Sequence, residues 1–287
     1  MNDAIAKSGV FRIGGQLEVH RLGYGAMQLT GRGIFGPPSD RDEAKRVLRR
    51  AVELGVDLID TADSYGPDVN EELIAEALHP YPEGLVIATK GGLVRPGPNQ
   101  WVSNGNPGHL RERCEGSLRR LKLDRIPLYQ LHRIDPKIPA EAQFETLAEL
   151  RSEGKIEHVG LSEVSVGDIE RAKRFFPVAS VQNRYNVKER AQWEDVIAWC
   201  ERTKTAFIPW FPLGSGKLGG ARALDEVARK RGVTPSQIAL AWLLARSPAM
   251  LPIPGTSSIA HLEENVAAGA IKLDAGEMAE LDAAGDL

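Results

Sequence analysis

The sequence has no excess of positive charge and no long apolar run. Its net charge is −3 at neutral pH, which gives no basic surplus for binding nucleic acid or an anionic membrane. No segment approaches the ~20 apolar residues that a membrane-spanning helix needs, and residues 1–7 lack the cationic start and apolar core of a secretion signal. These features predict a cytoplasmic protein with neither nucleic acid nor membrane as a partner.

Cysteine is almost absent, because the 287 residues include only Cys114 and Cys200. Both lie in segments of helical periodicity, far apart and without the closely spaced Cys or His companions of a zinc site. We therefore predict reduced structural thiols and no metal site. The proportions of hydrophobic residues (42%) and charged residues (26%) are those of an ordinary globular protein, so a large core is expected.

Strand-like and helix-like segments alternate along the chain. Residues 11–19 alternate apolar and polar side chains around Gly14 and Gly15, which predicts a β-hairpin. Eight short apolar runs then predict strands at 22–27, 56–60, 85–90, 126–132, 158–162, 178–182, 206–210 and 250–254. The segments between them repeat apolar residues every three or four positions, which is typical of helices.

This alternation favours parallel strands with right-handed crossovers, and eight units match a closed (β/α)₈ barrel, an α/β fold. We predict a single domain over residues 1–287. Two helical patterns, at 221–231 and at 275–284, are more than eight units require. The first of them precedes the helical pattern at 235–245. They are predicted to pack outside the barrel.

Three predicted strands lead to residues with reactive side chains. The strand at 56–60 ends at Asp60 and is followed by Tyr65, the strand at 85–90 ends at Lys90, and the strand at 126–132 ends at His132. Because the parallel strands of a barrel end at one rim, we expect these side chains to meet. A tyrosine, with an ordinary pKa of about 10, needs a nearby cation to favour its phenolate. Lys90 can supply that cation, and Asp60 can keep the lysine charged. The set suits proton donation to a carbonyl oxygen that His132 orients, although each residue taken alone also fits a purely structural role.

Two long loops are expected over the same rim. Residues 31–40 contain Phe35, and residues 91–108 contain Trp101. Loops of this length commonly carry function. Phe35 and Trp101 are candidate substrate-binding residues, and an aromatic wall suits a planar or apolar aldehyde, with sugars left open.

Several motifs of the chain resemble the successive signatures of the aldo-keto reductases. They are GVDLIDTADSYG at 55–66, ATK at 88–90, LH at 131–132, GLS at 160–162 and PLG at 212–214. The resemblance implies that Tyr65 is the general acid, that Lys90 and Asp60 tune it, and that His132 orients the substrate. RLGYGAMQ at 21–28, FGPP at 35–38 and IPGTSSIAH at 253–261 look most like bacterial members proposed to reduce pyridoxal.

The resemblance also implies a nicotinamide dinucleotide extended across the barrel mouth. Ser162 and Gln182 would hold its carboxamide, and Trp210 would stack on its ring. Glu163 stands where many relatives have Asn beside the carboxamide. The remaining expected cofactor contacts near the first and seventh strands are Ala26, Met27, Pro212 and Leu213.

Two loops are suited to the phosphates of such a cofactor. The glycine-rich run that includes Gly214, Ser215 and Lys217 is not a Rossmann fingerprint, because the acidic strand end expected ~20 residues later is missing. Its backbone amides and Lys217 still suit a pyrophosphate. The second loop precedes a predicted helix at 259–268, whose N-terminus favours a 2′-phosphate; its residues are Gly255, Thr256, Ser257 and Ser258, with His261, Glu264 and Asn265 in the helix. NADPH is favoured, and NADH is the alternative.

The main hypothesis is therefore an NADPH-dependent reductase of a small carbonyl compound, acting as a monomer or weak oligomer. A Schiff-base lyase using Lys90 is a second hypothesis, which Asp60 disfavours because a charged lysine is a poor nucleophile. A slowly turning cofactor-binding redox sensor is a third.

Overall fold

The computed structural model describes residues 4–214 and 222–283. Its strands are β1 Val10–Ile13, β2 Leu17–His20, β3 Tyr24–Gly25, β4 Leu58–Asp60, β5 Val86–Gly91, β6 Leu93–Val94, β7 Val102–Ser103, β8 Ile126–Leu131, β9 Ile156–Ser162, β10 Val178–Gln182 and β11 Ala206–Phe207. Its α-helices are α1 Ala4–Lys7, α2 Arg41–Glu53, α3 Val69–Leu78, α4 Pro107–Leu121, α5 Ala140–Ser152, α6 Val166–Ala172, α7 Glu194–Thr203, α8 Arg222–Arg231, α9 Pro235–Arg246, α10 Ile259–Ala267 and α11 Ala275–Ala283.

Seven strands form one parallel sheet in the order β11, β10, β9, β8, β5, β4, β3. Residues 249–254 join the two edges of this sheet. The Leu251 amide donates to the Phe207 carbonyl (2.8 Å), and the Gly23 amide donates to the Pro252 carbonyl (3.0 Å). The predicted α/β barrel is confirmed, since this eighth segment links its first and seventh strands.

The eighth segment is not the regular strand that the apolar run predicts. It makes one parallel bridge, between Met250 and Phe207, and is otherwise without strand assignment. The physical reason lies in Pro252 and Pro254, which have no amide hydrogen and so cannot donate to a ladder. Their carbonyl groups still accept from the first strand, which is sufficient for closure.

The predicted hairpin is confirmed as the antiparallel pair β1 and β2, with Ile13 opposite Leu17. Ile13 and Val19 are buried in the same cluster as Leu58, Val86 and Leu128 from the barrel strands. The hairpin therefore covers one opening of the barrel interior. A second and larger cluster lies between the strands and the surrounding helices.

The helices follow the predicted pattern, and some of them start at a side-chain cap. The Asp40 carboxylate accepts from the Glu43 amide at the start of α2, and the buried face of that helix carries Ala44, Val47 and Leu48. The two helices beyond the eight-unit pattern, α8 and α11, pack against each other. The short helix α1 was not predicted, and it packs against residues 268–270.

The loop predicted at 91–108 is partly ordered as secondary structure. Strand β5 extends to Gly91, and β6 pairs with β7 so that Val94 lies opposite Val102. Strands of two residues are too short to show periodicity in a sequence, so the irregular loop was the wrong expectation there. The pair holds Trp101 beside its second strand.

Both cysteines are buried, and burial raises the pKa of the Cys114 and Cys200 thiols to about 12. In the part of the chain that is described, no helix combines the length and apolar character needed to cross a membrane.

Candidate active site

The structure brings together the four side chains that follow the second, third and fourth barrel strands. Asp60 ends β4, Lys90 lies near the end of β5, His132 follows β8, and Tyr65 lies in the loop after β4. None is more than 6% exposed. The Lys90 ammonium donates to the Asp60 carboxylate (2.5 Å) and to the Tyr65 hydroxyl (3.4 Å), and the Tyr65 and His132 rings meet edge to face with centroids 5.9 Å apart.

Lys90 is held in its charged form. Burial disfavours the ammonium and lowers its pKa, but the charge of Asp60 and the phenol of Tyr65 outweigh this, so the pKa lies above its ordinary value. The other oxygen of Asp60 accepts from the side-chain amides of Gln182 (2.9 Å) and Gln130 (3.2 Å). Gln182, predicted as a carboxamide contact, thus has its side chain on Asp60.

Tyr65 keeps its proton at neutral pH. The sequence argument expected Lys90 to favour the phenolate, and the ammonium does act in that direction. Burial is the larger effect, however, and it raises the pKa of the phenol above its ordinary value of 10.0. The hydroxyl is therefore available as a proton donor.

His132 is a neutral imidazole. Burial, together with the nearby charges of Lys90 and Arg133, holds its pKa well below 6.5. Its Nδ1 atom lies 3.3 Å from the Ser64 hydroxyl, whereas Nε2 has no hydrogen-bond partner within the described residues. A neutral ring of this kind can present one N–H donor to a ligand.

Trp101 and Phe35 lie near these groups, as the two-loop hypothesis predicts. The Trp101 ring is edge-on to Tyr65 and to His132, with centroids 6.3 Å away in both cases. Phe35 forms a backbone bridge with Gly66, directly after Tyr65. The arginine that connects these loops, Arg95, was missed by the sequence analysis because a lone Arg in a Gly/Pro-rich loop forms no motif.

Trp210 is oriented by a carboxylate. Its indole N–H donates to Glu163 Oε1 (2.7 Å), and the same oxygen accepts from the Arg184 amide (2.6 Å). Glu163 has a left-handed backbone with φ 55°. The guanidinium groups of Arg133 and Arg184 lie 5.8 Å and 5.6 Å from the indole centroid.

Ser162 lies at the end of β9, beside this group. Its hydroxyl donates to the Gln182 carbonyl (2.8 Å) and accepts from the Arg133 guanidinium (2.9 Å). Arg133 was missed by the sequence analysis, and the signal that could have found it is its position directly after His132 at a strand end. Ser162, Glu163 and Trp210 thus form one connected side of the site.

Other predicted cofactor contacts lie on two segments. The first is the helical turn Ala26–Gln28, with Ala26 buried and Met27 partly exposed. The second is the segment 255–258, where the Thr256 carbonyl accepts from the buried Tyr24 hydroxyl (2.5 Å). The Ser258 hydroxyl caps α10 by accepting from the His261 amide (3.4 Å).

The structure describes most of the remaining predicted cofactor contacts, and two of them lie outside the described residues. Gly255 packs closely on the first strand, because an added Cβ would lie 2.7 Å from the Gly25 carbonyl. Ser257 and Glu264 are exposed and Asn265 is buried. Pro212 and Leu213 form a turn that ends at Gly214, which has φ 56°; Ser215 and Lys217 lie outside the described residues.

Comparisons with known proteins agree with this geometry. Residues 21–286 match the aldo/keto reductase family. The chain is 51% identical over 281 residues to an uncharacterized oxidoreductase of Schizosaccharomyces pombe, covering 98% of this chain and 91% of that protein. It is 43% identical over 274 residues to pyridoxine 4-dehydrogenase of Escherichia coli, covering 93% and 96% of the two chains.

A solved structure supports the same assignment. An aldo/keto reductase from Klebsiella pneumoniae, in complex with NADP and acetate, superposes with a TM-score of 0.80 at 27% identity, covering 96% of this chain and 94% of that one. The resemblance read from the motifs is therefore confirmed at the level of the family. Given a match over nearly the whole chain, the protein is an oxidoreductase that belongs to the aldo/keto reductase family.

Proposed function

We propose that the protein reduces an aldehyde or ketone to the alcohol with NADPH, and that Tyr65 donates the proton to the carbonyl oxygen. The observation that carries this proposal is the contact of the protonated Tyr65 hydroxyl with the charged Lys90 ammonium (3.4 Å), beside the neutral His132. NADH is the alternative cofactor.

The connected side of the site formed by Ser162, Glu163 and Trp210 fits a nicotinamide dinucleotide. Trp210 offers an aromatic face whose orientation Glu163 fixes through the indole N–H, and Ser162 places a hydroxyl nearby. The capped start of α10 offers a helix N-terminus for a phosphate. When bound, the reduced nicotinamide supplies the hydride that forms the new C–H bond.

The protein's own residues manage the proton. Tyr65 gives its proton to the carbonyl oxygen as negative charge develops there, and the resulting phenolate is stabilised by Lys90. Asp60 keeps the lysine charged throughout. A positioned general acid contributes about 10²- to 10⁴-fold, or about 3 to 5 kcal/mol of barrier.

His132 orients the substrate oxygen. If the Ser64 hydroxyl donates to Nδ1 across the observed 3.3 Å, the ring proton is placed on Nε2. That N–H is then the second donor to the carbonyl oxygen, next to the Tyr65 hydroxyl. Ser64 thus selects the tautomer that this role requires.

The substrate class we favour is a planar aromatic aldehyde of the pyridoxal type. Two observations support it: the aromatic wall formed by Trp101 beside Tyr65 and His132, and the 43% identity to pyridoxine 4-dehydrogenase. The raised pKa of Lys90 disfavours the Schiff-base alternative, because a protonated lysine is not a nucleophile.

The test is consumption of NADPH and of NADH with pyridoxal, benzaldehyde, an aliphatic aldehyde and a sugar. We expect turnover of the aromatic aldehydes, and a loss of about 10²- to 10⁴-fold in Tyr65→Phe with unchanged NADPH affinity. Tyr81→Phe is a matched control, since that hydroxyl donates to the Leu121 carbonyl away from the site. Full activity in Tyr65→Phe would remove the mechanism, and tight NADPH binding without turnover of any carbonyl would favour the redox-sensor alternative.

A further inference from the structure

Arg95 ties three loops of the active-site rim together through backbone carbonyls. Its guanidinium donates to the carbonyls of Gly33 (2.8 Å) and Ile34 (2.7 Å) in the loop after the first strand. It also donates to Ser64 (3.0 Å), one residue before Tyr65, and to Gln100 (2.8 Å), one residue before Trp101. Its residue exposure is only 8%.

The hydrogen bonds of Arg95 all go to backbone groups. Among the described residues all of its hydrogen bonds go to neutral carbonyl groups and none to a carboxylate. Burial lowers the pKa of the guanidinium, and the phenol of Tyr65 opposes this effect. Partly burying a cation without a counter-ion is unfavourable, and an aromatic face against the guanidinium offsets part of this cost.

Trp101 supplies such an aromatic face. The guanidinium carbon lies 3.5 Å from the centroid of the indole, the distance of two stacked planes, and it lies 5.9 Å from the ring of Phe35. The indole is in turn edge-on to Tyr65 at 86° and to His132 at 65°. Trp101 therefore contacts both Arg95 and the two groups that are proposed to face the carbonyl oxygen.

Arg95 is held by its four hydrogen bonds, and Trp101 depends on Arg95 for its orientation. Trp101 is 37% exposed, and the loop that carries it is rich in glycine and proline, so the ring gains its fixed orientation from the guanidinium plane. A lysine could not substitute, since an ammonium is a point charge that cannot make four planar bonds and stack on a ring at once. The arrangement presents a rigid aromatic wall rather than a mobile one.

We propose that Arg95 is a positioning residue that fixes Trp101 as the wall of the substrate pocket and thereby makes the enzyme prefer planar aromatic carbonyl compounds to flexible aliphatic ones. This inference rests on the proposed reductase function. Arg95 acts through Trp101, without contacting the substrate itself.

The test compares Arg95→Lys and Arg95→Met with the wild type in steady-state reduction of an aromatic and an aliphatic aldehyde. We expect kcat/KM for the aromatic aldehyde to fall about 10- to 100-fold, mainly through KM, and that for the aliphatic aldehyde to fall less than about 3-fold. Arg21→Met is the matched control, because Arg21 also donates to two backbone carbonyls, those of Ser8 (3.0 Å) and Ser247 (2.9 Å). It should leave the ratio of the two substrates unchanged.

A second measurement does not depend on turnover. Acrylamide quenching of tryptophan fluorescence, with Trp101→Phe used to subtract the other indoles, should show Trp101 more accessible in Arg95→Met than in the wild type. Equal losses for both aldehydes, a loss confined to kcat, or unchanged quenching of Trp101 would each overturn the proposal. If the wild type reduces no carbonyl compound, the proposed function fails while the quenching result still decides whether Arg95 positions Trp101.

Discussion

Replacing Lys90 with methionine separates the stability of the site from its chemistry. Lys90 is fully buried, and its ammonium donates to Asp60 (2.5 Å), to the Thr61 carbonyl (2.7 Å) and to the Tyr65 hydroxyl (3.4 Å). Methionine has a similar length and no charge, so it fits the apolar part of the space. The change leaves the Asp60 carboxylate buried without its counter-ion.

The expected destabilisation follows from that orphaned charge. Breaking a buried ion pair by removing one partner costs about 3 to 5 kcal/mol, although Asp60 keeps two amide donors, from Gln182 and Gln130. At about 2 °C per kcal/mol for a chain of this size, the melting temperature should fall by roughly 6 to 10 °C. The double variant Asp60→Asn with Lys90→Met removes both charges and should recover most of this loss, since uncharged replacements of a buried pair are often neutral.

Activity should not recover with stability. Without the ammonium, the largest effect that opposes the burial-raised pKa of Tyr65 is lost, so both variants should lose about 10²-fold or more in turnover. Thermal unfolding followed by circular dichroism and NADPH consumption with an aromatic aldehyde give the two readouts. A Lys90→Met protein as stable as the wild type, or an active double variant, would refute the reasoning.

Three further predictions concern groups around the site. Ser64→Ala should lower kcat/KM about 2- to 10-fold, the value of one neutral hydrogen bond, and ¹⁵N NMR should show His132 losing its single tautomer; an unchanged ring spectrum would contradict this. Glu163→Ala should weaken NADPH binding about 10-fold by freeing the Trp210 indole, whereas Glu163→Gln, which keeps an acceptor, should change it less than about 3-fold in a fluorescence titration; equal effects would exclude the hydrogen bond as the cause. Burial raises the pKa of Asp63 from 3.8 to about 7, so the folded state favours the protonated carboxyl group. The stability that this group contributes is fully present below pH 3.8 and is lost as the pH rises through 7. The free energy of unfolding, measured with denaturant across that pH range, should fall less steeply with pH in Asp63→Asn than in the wild type. Parallel curves for the two proteins would rule this out.

The catalytic set could be predicted from sequence because its position depends on topology alone. Asp60, Lys90 and His132 end or follow consecutive apolar runs, and parallel strands carry whatever follows them to one rim. The hairpin and the helices other than α1 were likewise readable, since their periodicity is local. The family motifs added the roles of these residues, which spacing does not give.

Other features depend on three-dimensional packing and were not readable. The net direction of the Tyr65 pKa is decided by depth of burial, which outweighs the Lys90 charge. The side chain of Gln182 reaches Asp60 across the barrel interior, a contact 122 residues apart in sequence. Arg95 donates to backbone carbonyl groups of three loops. Every residue has such a carbonyl group, so the sequence does not show which residues accept.

A structure of the protein with oxidised cofactor and an unreactive aromatic carbonyl compound tests the central claim most directly. We predict that the carbonyl oxygen lies about 2.6 to 3.2 Å from both the Tyr65 hydroxyl and the Nε2 atom of His132, with the ring of the compound against Trp101. A compound seated with its oxygen beyond the reach of Tyr65, or a cofactor bound away from Trp210, would contradict the account.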